Sequence, residues 1–154
     1  MKKLFSMMAM VLLCVAAMAR GDKFPEYDIT GAGSATEGTV LVKVYVYGMH
    51  VSDEDLKRAA VHGVVFRGFA NTASRVQQPA MASPTAEADN QSYCDAFFAR
   101  DGMCQNYAQI VSGSYDRVKT KKGMKCGATV QVNKSALRKE LEKGGVVRSL
   151  SSGF

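Results

Sequence analysis

Apolar and polar positions alternate most regularly between Thr39 and Tyr47, where Val40, Val42, Val44 and Val46 fall on one side and Thr39, Leu41, Lys43, Tyr45 and Tyr47 on the other. β-branched residues at period two predict a strand with its valine side toward a core. Gly48 to Val51 interrupts the pattern, and Ser52 then stands three residues before Asp55. That spacing is a capping box, and Asp53, Glu54 and Asp55 suit the positive end of a helix dipole. A helix is expected from Asp53 to about Phe66, with Leu56, Ala60, Gly63 and Val64 at helical spacing.

A short first strand is expected around Tyr27–Thr30, within an otherwise loop-like Phe24–Gly38. The stretch 71–85 has no period and reads as a long connection. Ser83-Pro84 is a favourable helix start, and a second helix is expected to run to about Arg100 with Tyr93, Phe97 and Phe98 as anchors. Asp101-Gly102 ends it, and a short helical turn follows over Cys104–Ile110. Tyr115–Lys119 and Met124–Val132 read as a hairpin about Lys121-Lys122-Gly123, with Cys126, Ala128, Val130 and Val132 inward. Asn133 or Ser135 caps a last helix to Lys143, which Gly144-Gly145 stops. Val146-Val147 reads as a further short strand. Helices segregated from a small, largely antiparallel sheet, packed on one of its faces, make an α+β domain.

The first nineteen residues follow a different order. Lys2 and Lys3 precede an apolar run from Leu4 to Val15, and Ala17-Met18-Ala19 places small residues at the positions a signal peptidase reads. The run is shorter than the ~20 residues of a membrane-spanning helix. Residues 1–19 are therefore expected to be a cleaved signal peptide and 20–154 a single α+β domain, periplasmic or secreted. Cys14 sits inside the apolar run behind Leu13, which is not the small residue a lipid-modified cysteine needs. No later run approaches spanning length, so no transmembrane segment is expected after cleavage.

Export changes how composition is read. The chain of 154 residues carries +6, of which Lys2 and Lys3 supply two. The remaining excess is mild and does not single out nucleic acid, which is not an expected partner. Cys94, Cys104 and Cys126 remain, in a compartment that permits disulfides. Cys126 lies on the inward side of its strand, leaving Cys94 and Cys104 as the candidate bridge, since Asp101-Gly102 lets the chain turn back between them.

The candidate chemistry is sparse. A cysteine nucleophile needs a base, and only His50 and His62 are present. His62 falls at the edge of an apolar helix stripe and His50 in a turn, at a spacing that fits no zinc pattern. Gly31-Ala32-Gly33 opens like a phosphate loop, but Thr36 stands where a third glycine belongs and a strand follows. Arg20-Gly21-Asp22 spells an adhesion tripeptide that chance explains. Lys119, Lys121, Lys122 and Lys125 cluster at the hairpin, a solvated turn or a contact for an anionic envelope surface or protein. No catalytic residue, metal or cofactor is expected.

Val40 to Val44, Ala60-Val61-His62-Gly63-Val64-Val65-Phe66-Arg67-Gly68-Phe69, Ser114 to Lys119, and Leu137-Arg138-Lys139 through Arg148 resemble an uncharacterised family of small exported Bacteroidetes proteins. The resemblance covers most of residues 20–154 and implies export without implying an activity or site residues. The strand–helix–hairpin plan is also loosely similar to envelope domains of the LPP20 and flagellar-assembly-protein-T N-terminal type, a likeness of fold alone. The expected function is a non-catalytic binding or assembly module of the periplasm or envelope. The alternatives are a small thiol-dependent enzyme using Cys94 or Cys104 with His62, and a carbohydrate or lipid binder using Tyr45 and Tyr47 as a platform.

Overall fold

The computed structural model describes residues 24–72 and 75–149, so the expected signal peptide and its cleavage site lie outside the described residues. Strands β1 (Tyr27–Gly31), β2 (Val40–Tyr47), β5 (Ala108–Ile110), β6 (Asp116–Thr120) and β7 (Gly123–Val132) form one antiparallel sheet. Its order is β1-β2-β7, and β5 and β6 both pair with β7 along the same edge. A two-residue pair, β3 (Phe69–Ala70) with β4 (Gln77–Gln78), stands apart from it. Helices α1 (Asp53–His62), α2 (Ala86–Asp89), α3 (Gln91–Phe97) and α4 (Lys134–Lys143) complete an α+β fold. No helix among the described residues is long and apolar enough to cross a membrane.

The register explains the core. Ile29, Val44 and Ala128 share one row across β1, β2 and β7, and Val42 and Val130 share the next with Ile110 of β5. Val42, Val44, Val46, Ala128, Val130 and Val132 are buried, together with Leu56, Ala59, Ala60 and Val61 of α1. Leu137 and Leu141 of α4 join the same cluster. Because side chains alternate between faces, the same register sends Lys43, Tyr45, Tyr47, Lys125 and Thr129 to the opposite side.

Two helix starts, those of α1 and α4, follow the sequence expectation. The Ser52 hydroxyl accepts from the Asp55 N–H, and the Asp55 carboxylate accepts in return from the Ser52 N–H. Asn133 caps α4 by accepting from Ala136 N–H. The end of α4 is a Schellman turn. Val146 N–H donates to the Leu141 carbonyl, Gly145 N–H to that of Glu142, and Gly145 takes φ +74°. This is why Val146 and Val147 form no strand. The turn folds them back into the core, where both are buried.

Two expected helices differ in detail. The first remains α-helical only to His62 and widens into a π turn over Gly63–Arg67, closed by Gly68 N–H on the Gly63 carbonyl at 2.8 Å. The helix expected to about Arg100 is broken at Asn90 into α2 and α3. The Asn90 side chain itself donates to the Ala86 carbonyl at 2.9 Å, a local bond that competes with helix continuation. Thr85, not Ser83, occupies the position before α2, and its side chain makes no capping bond.

Gly68 ends the π turn at φ +69°, and a Cβ there would lie 2.4 Å from the Gln78 carbonyl oxygen. Gly68→Ala is expected to lower unfolding stability by about 2 kcal/mol or more, since backbone on both sides would have to move. Urea titration of the two proteins measures it. A change under half that size would mean that the turn relaxes freely.

Candidate functional site

The uncovered side of the sheet carries a network built by register. Asp28, Tyr45, Gly127 and Asp116 stand in one row across β1, β2, β7 and β6. Gly127 has no side chain, and Tyr45 lies over it: a Cβ there would meet the ring at 2.5 Å. The Tyr45 hydroxyl then reaches Asp116 Oδ2 at 2.6 Å, while that of Tyr47 reaches back to Asp28 Oδ2 at 2.9 Å. Lys125 Nζ bonds the same Asp28 oxygen at 3.0 Å and sits 4.5 Å from the Tyr45 ring centroid. Lys43 donates to the Ser114 carbonyl, and Lys122 to Glu26.

The charges follow from these bonds. Burial alone would raise Asp28, but the bonds from Lys125 and Tyr47 outweigh it and hold the carboxyl below its usual range. The bond to Asp116, with burial, pushes the Tyr45 phenol up to about 12. The tyrosine platform is therefore present, and its polar groups are engaged with one another. The expected lysine cluster is divided. Lys122 and Lys125 are paired with Glu26 and Asp28, whereas Lys119 and Lys121 are exposed, with Lys119 opposite Met124 on the other side of the hairpin.

A second constellation lies on the helical side. His62 is 8 % exposed at the end of α1. The Tyr27 hydroxyl meets its Nδ1 at 2.6 Å, and its Nε2 meets Glu87 Oε1 at 2.9 Å. A neutral ring satisfies both only with its proton on Nε2, donating to the carboxylate and accepting from the phenol. Phe24 lies at 4.4 Å between centroids, and Phe66 and Phe98 pack around the same ring. Burial lowers the His62 pKa, assisted by the Arg67 and Arg58 charges and opposed by Glu87. Burial likewise raises the Tyr27 phenol.

One turn earlier Arg58, 3 % exposed, donates from Nε to the Phe98 carbonyl at 2.7 Å and lies 3.5 Å from Asp55. These groups border a cavity of about 590 Å³ lined by Phe24, Arg58, Glu87, Gln91, Cys94 and Phe98 among others.

The cysteines occupy separate positions. Cys94 lines that cavity near Glu87 and Asp95, whereas Cys104 is fully enclosed in the 3₁₀ turn Met103–Tyr107. Both are free, so the candidate Cys94–Cys104 bridge is not formed. The chain does turn back at Gly102, against the Phe97 carbonyl. Burial pushes each up to about 11, which leaves little thiolate near neutrality. Neither thiol is the partner of His62, whose two nitrogens are taken by Tyr27 and Glu87. Cys126, expected to be buried, is half-buried, with its thiol 3.9 Å from the Gly48 carbonyl. His50 is exposed.

Sequence reasoning placed Tyr45 and Tyr47 on one face correctly, because period two is a local property, while the β2–β7 register adds Lys125 to it. It missed Tyr27, Arg58 and Glu87. Tyr27 and Glu87 lie 35 and 25 residues from His62, and no spacing rule joins them. The class that emerges is an α+β domain with a half-covered sheet. No family model, no curated protein and no solved structure matches this chain.

A histidine whose pKa is lowered by folding stabilises above its unfolded value and loses that contribution as pH falls through the folded one. Stability should therefore decline from about pH 6.5 downward, and His62→Gln should flatten this part of the curve. Urea unfolding across that window measures the difference. Equal slopes in both proteins would remove His62 as its source. Iodoacetamide under native conditions should label Cys126 before Cys94 and Cys104, and intact mass should be unchanged by reductant. Rapid labelling of Cys94 would contradict its burial.

Proposed function

We propose that this chain is a binding or assembly module that works outside the cytoplasm, in the periplasm or at the cell envelope, and meets its partner through the uncovered face of its sheet. The observation that carries the reading is the asymmetry of the sheet. One side is sealed by valines against α1 and α4, while the other keeps Lys43, Tyr45, Tyr47 and Lys125 in reach of solvent. Tyrosine is among the side chains most enriched where proteins recognise partners.

Two further features support it. The N-terminal order of lysines, apolar run and Ala17-Met18-Ala19 favours export. The chemistry-bearing groups of the interior are spent on structure: His62 on Tyr27 and Glu87, Arg58 on Phe98 and Asp55, and both buried cysteines on packing. A thiol enzyme would need one of those cysteines to be acidic and beside a free imidazole.

The test is a photo-crosslinking residue at exposed Thr30, on the uncovered side of β1, compared with one at exposed Lys139 on α4. In intact cells the Thr30 position should give a discrete adduct with an envelope component and the Lys139 position should not. Monomer alone from both, or the same adducts from both, would overturn the reading.

A further inference from the structure

The uncovered face is not uniform. Around Tyr45 and Tyr47 the polar side chains bond one another. At the far end of β7 they do not. There Gln109 of β5 stands opposite Gln131 of β7, and Gln131 stands opposite Leu41 of β2. Asn106 and Asn133 close the end of the same groove with Thr39 and Tyr107, around a volume of about 380 Å³. Among the described residues the side-chain amides of Asn106, Gln109 and Gln131 make no hydrogen bond. Asn133 spends only its carbonyl oxygen, on the cap of α4, which leaves its NH₂ group. No charged residue lines the groove.

We infer that this groove binds an uncharged oligosaccharide. A carboxamide holds a donor pair and an acceptor side by side and has no charge to desolvate. Adjacent hydroxyls of a sugar present the same alternation of donor and acceptor, so each amide can take two bonds from one diol. The Tyr107 ring supplies the apolar surface that a sugar's C–H face needs. An anionic ligand finds no cation here. An added peptide strand finds no backbone partner at Gln131, because β7 is paired on both sides, by β2 and by β5, and the open edge of β5 is only three residues long. The donors open to a ligand are side chains spread across a face, which fits hydroxyls better than a main chain. The inference rests on the envelope reading for the origin of the sugar and on the groove alone for its chemistry.

The experiment follows the side-chain NH₂ signals of Asn106, Gln109 and Gln131 in ¹H–¹⁵N spectra of the folded protein. The probes are cellotetraose and tri-N-acetylchitotriose, with a heparin hexasaccharide and a Gly-Ser peptide in parallel. Saturable shifts at these amides are expected with a neutral sugar, at a dissociation constant of about 1 mM or tighter. They should be unchanged by added salt, since no ion pair is involved. Gln109→Ala with Gln131→Ala should weaken binding at least about tenfold while the backbone spectrum stays folded. Unmoved signals at about ten times that concentration would overturn the inference. So would shifts confined to Lys43, Tyr45 and Lys125, or binding of the heparin fragment or the peptide alone. Crosslinking from Thr30 in the double variant separates the two readings. An adduct retained there without any sugar binding would leave the envelope module standing and remove the glycan.

Discussion

The packing of α1 on the valine side of β2 is the contact from which the rest of the structure follows. It buries Val42, Val44 and Val46 against Leu56, Ala59, Ala60 and Val61. The pleat of the strand leaves no freedom after that. Once the valines point inward, Lys43, Tyr45 and Tyr47 must point outward, and β7 inherits the same division through its register with β2. A slip of one residue would bury Lys43 and expose Val44, at a cost no other contact offsets.

The same contact sets the interior polar groups. Running α1 along the sheet brings His62 to the level of Tyr27 in β1, and Gly63 makes room where a Cβ would lie 2.5 Å from Ile29. A buried imidazole then needs partners on both nitrogens. Tyr27 and Glu87 provide them, and Glu87 ties the short helix α2 to α1. The π turn after His62 is part of this arrangement. Turns of this kind often accompany functional sites, and here the widened turn places Arg67 over the Tyr27 ring at 4.0 Å.

The two halves of the uncovered face illustrate how satisfaction of polar groups separates structure from recognition. Tyr45 and Tyr47 stood out in the sequence as a candidate binding platform, yet their hydroxyls are committed to Asp116 and Asp28. The glutamines and asparagines did not stand out, since isolated amides are ordinary surface residues. Only the pairing of β5 with β7 sets Gln109 against Gln131 and makes a groove of them.

What the sequence determined by itself was local: the period-two faces of β2 and β7, the capping box at Ser52, the cap at Asn133, the glycine stop of α4 and hence an α+β arrangement. These depend on residues within one or two turns of each other, where backbone geometry leaves few alternatives. Tertiary structure decided the remainder. The Tyr27–His62–Glu87 chain and the pairing of Gln109 with Gln131 depend on segments distant in sequence. A bond across 25 or 35 residues exists only when both ends have been brought together by packing, and no local preference encodes that meeting.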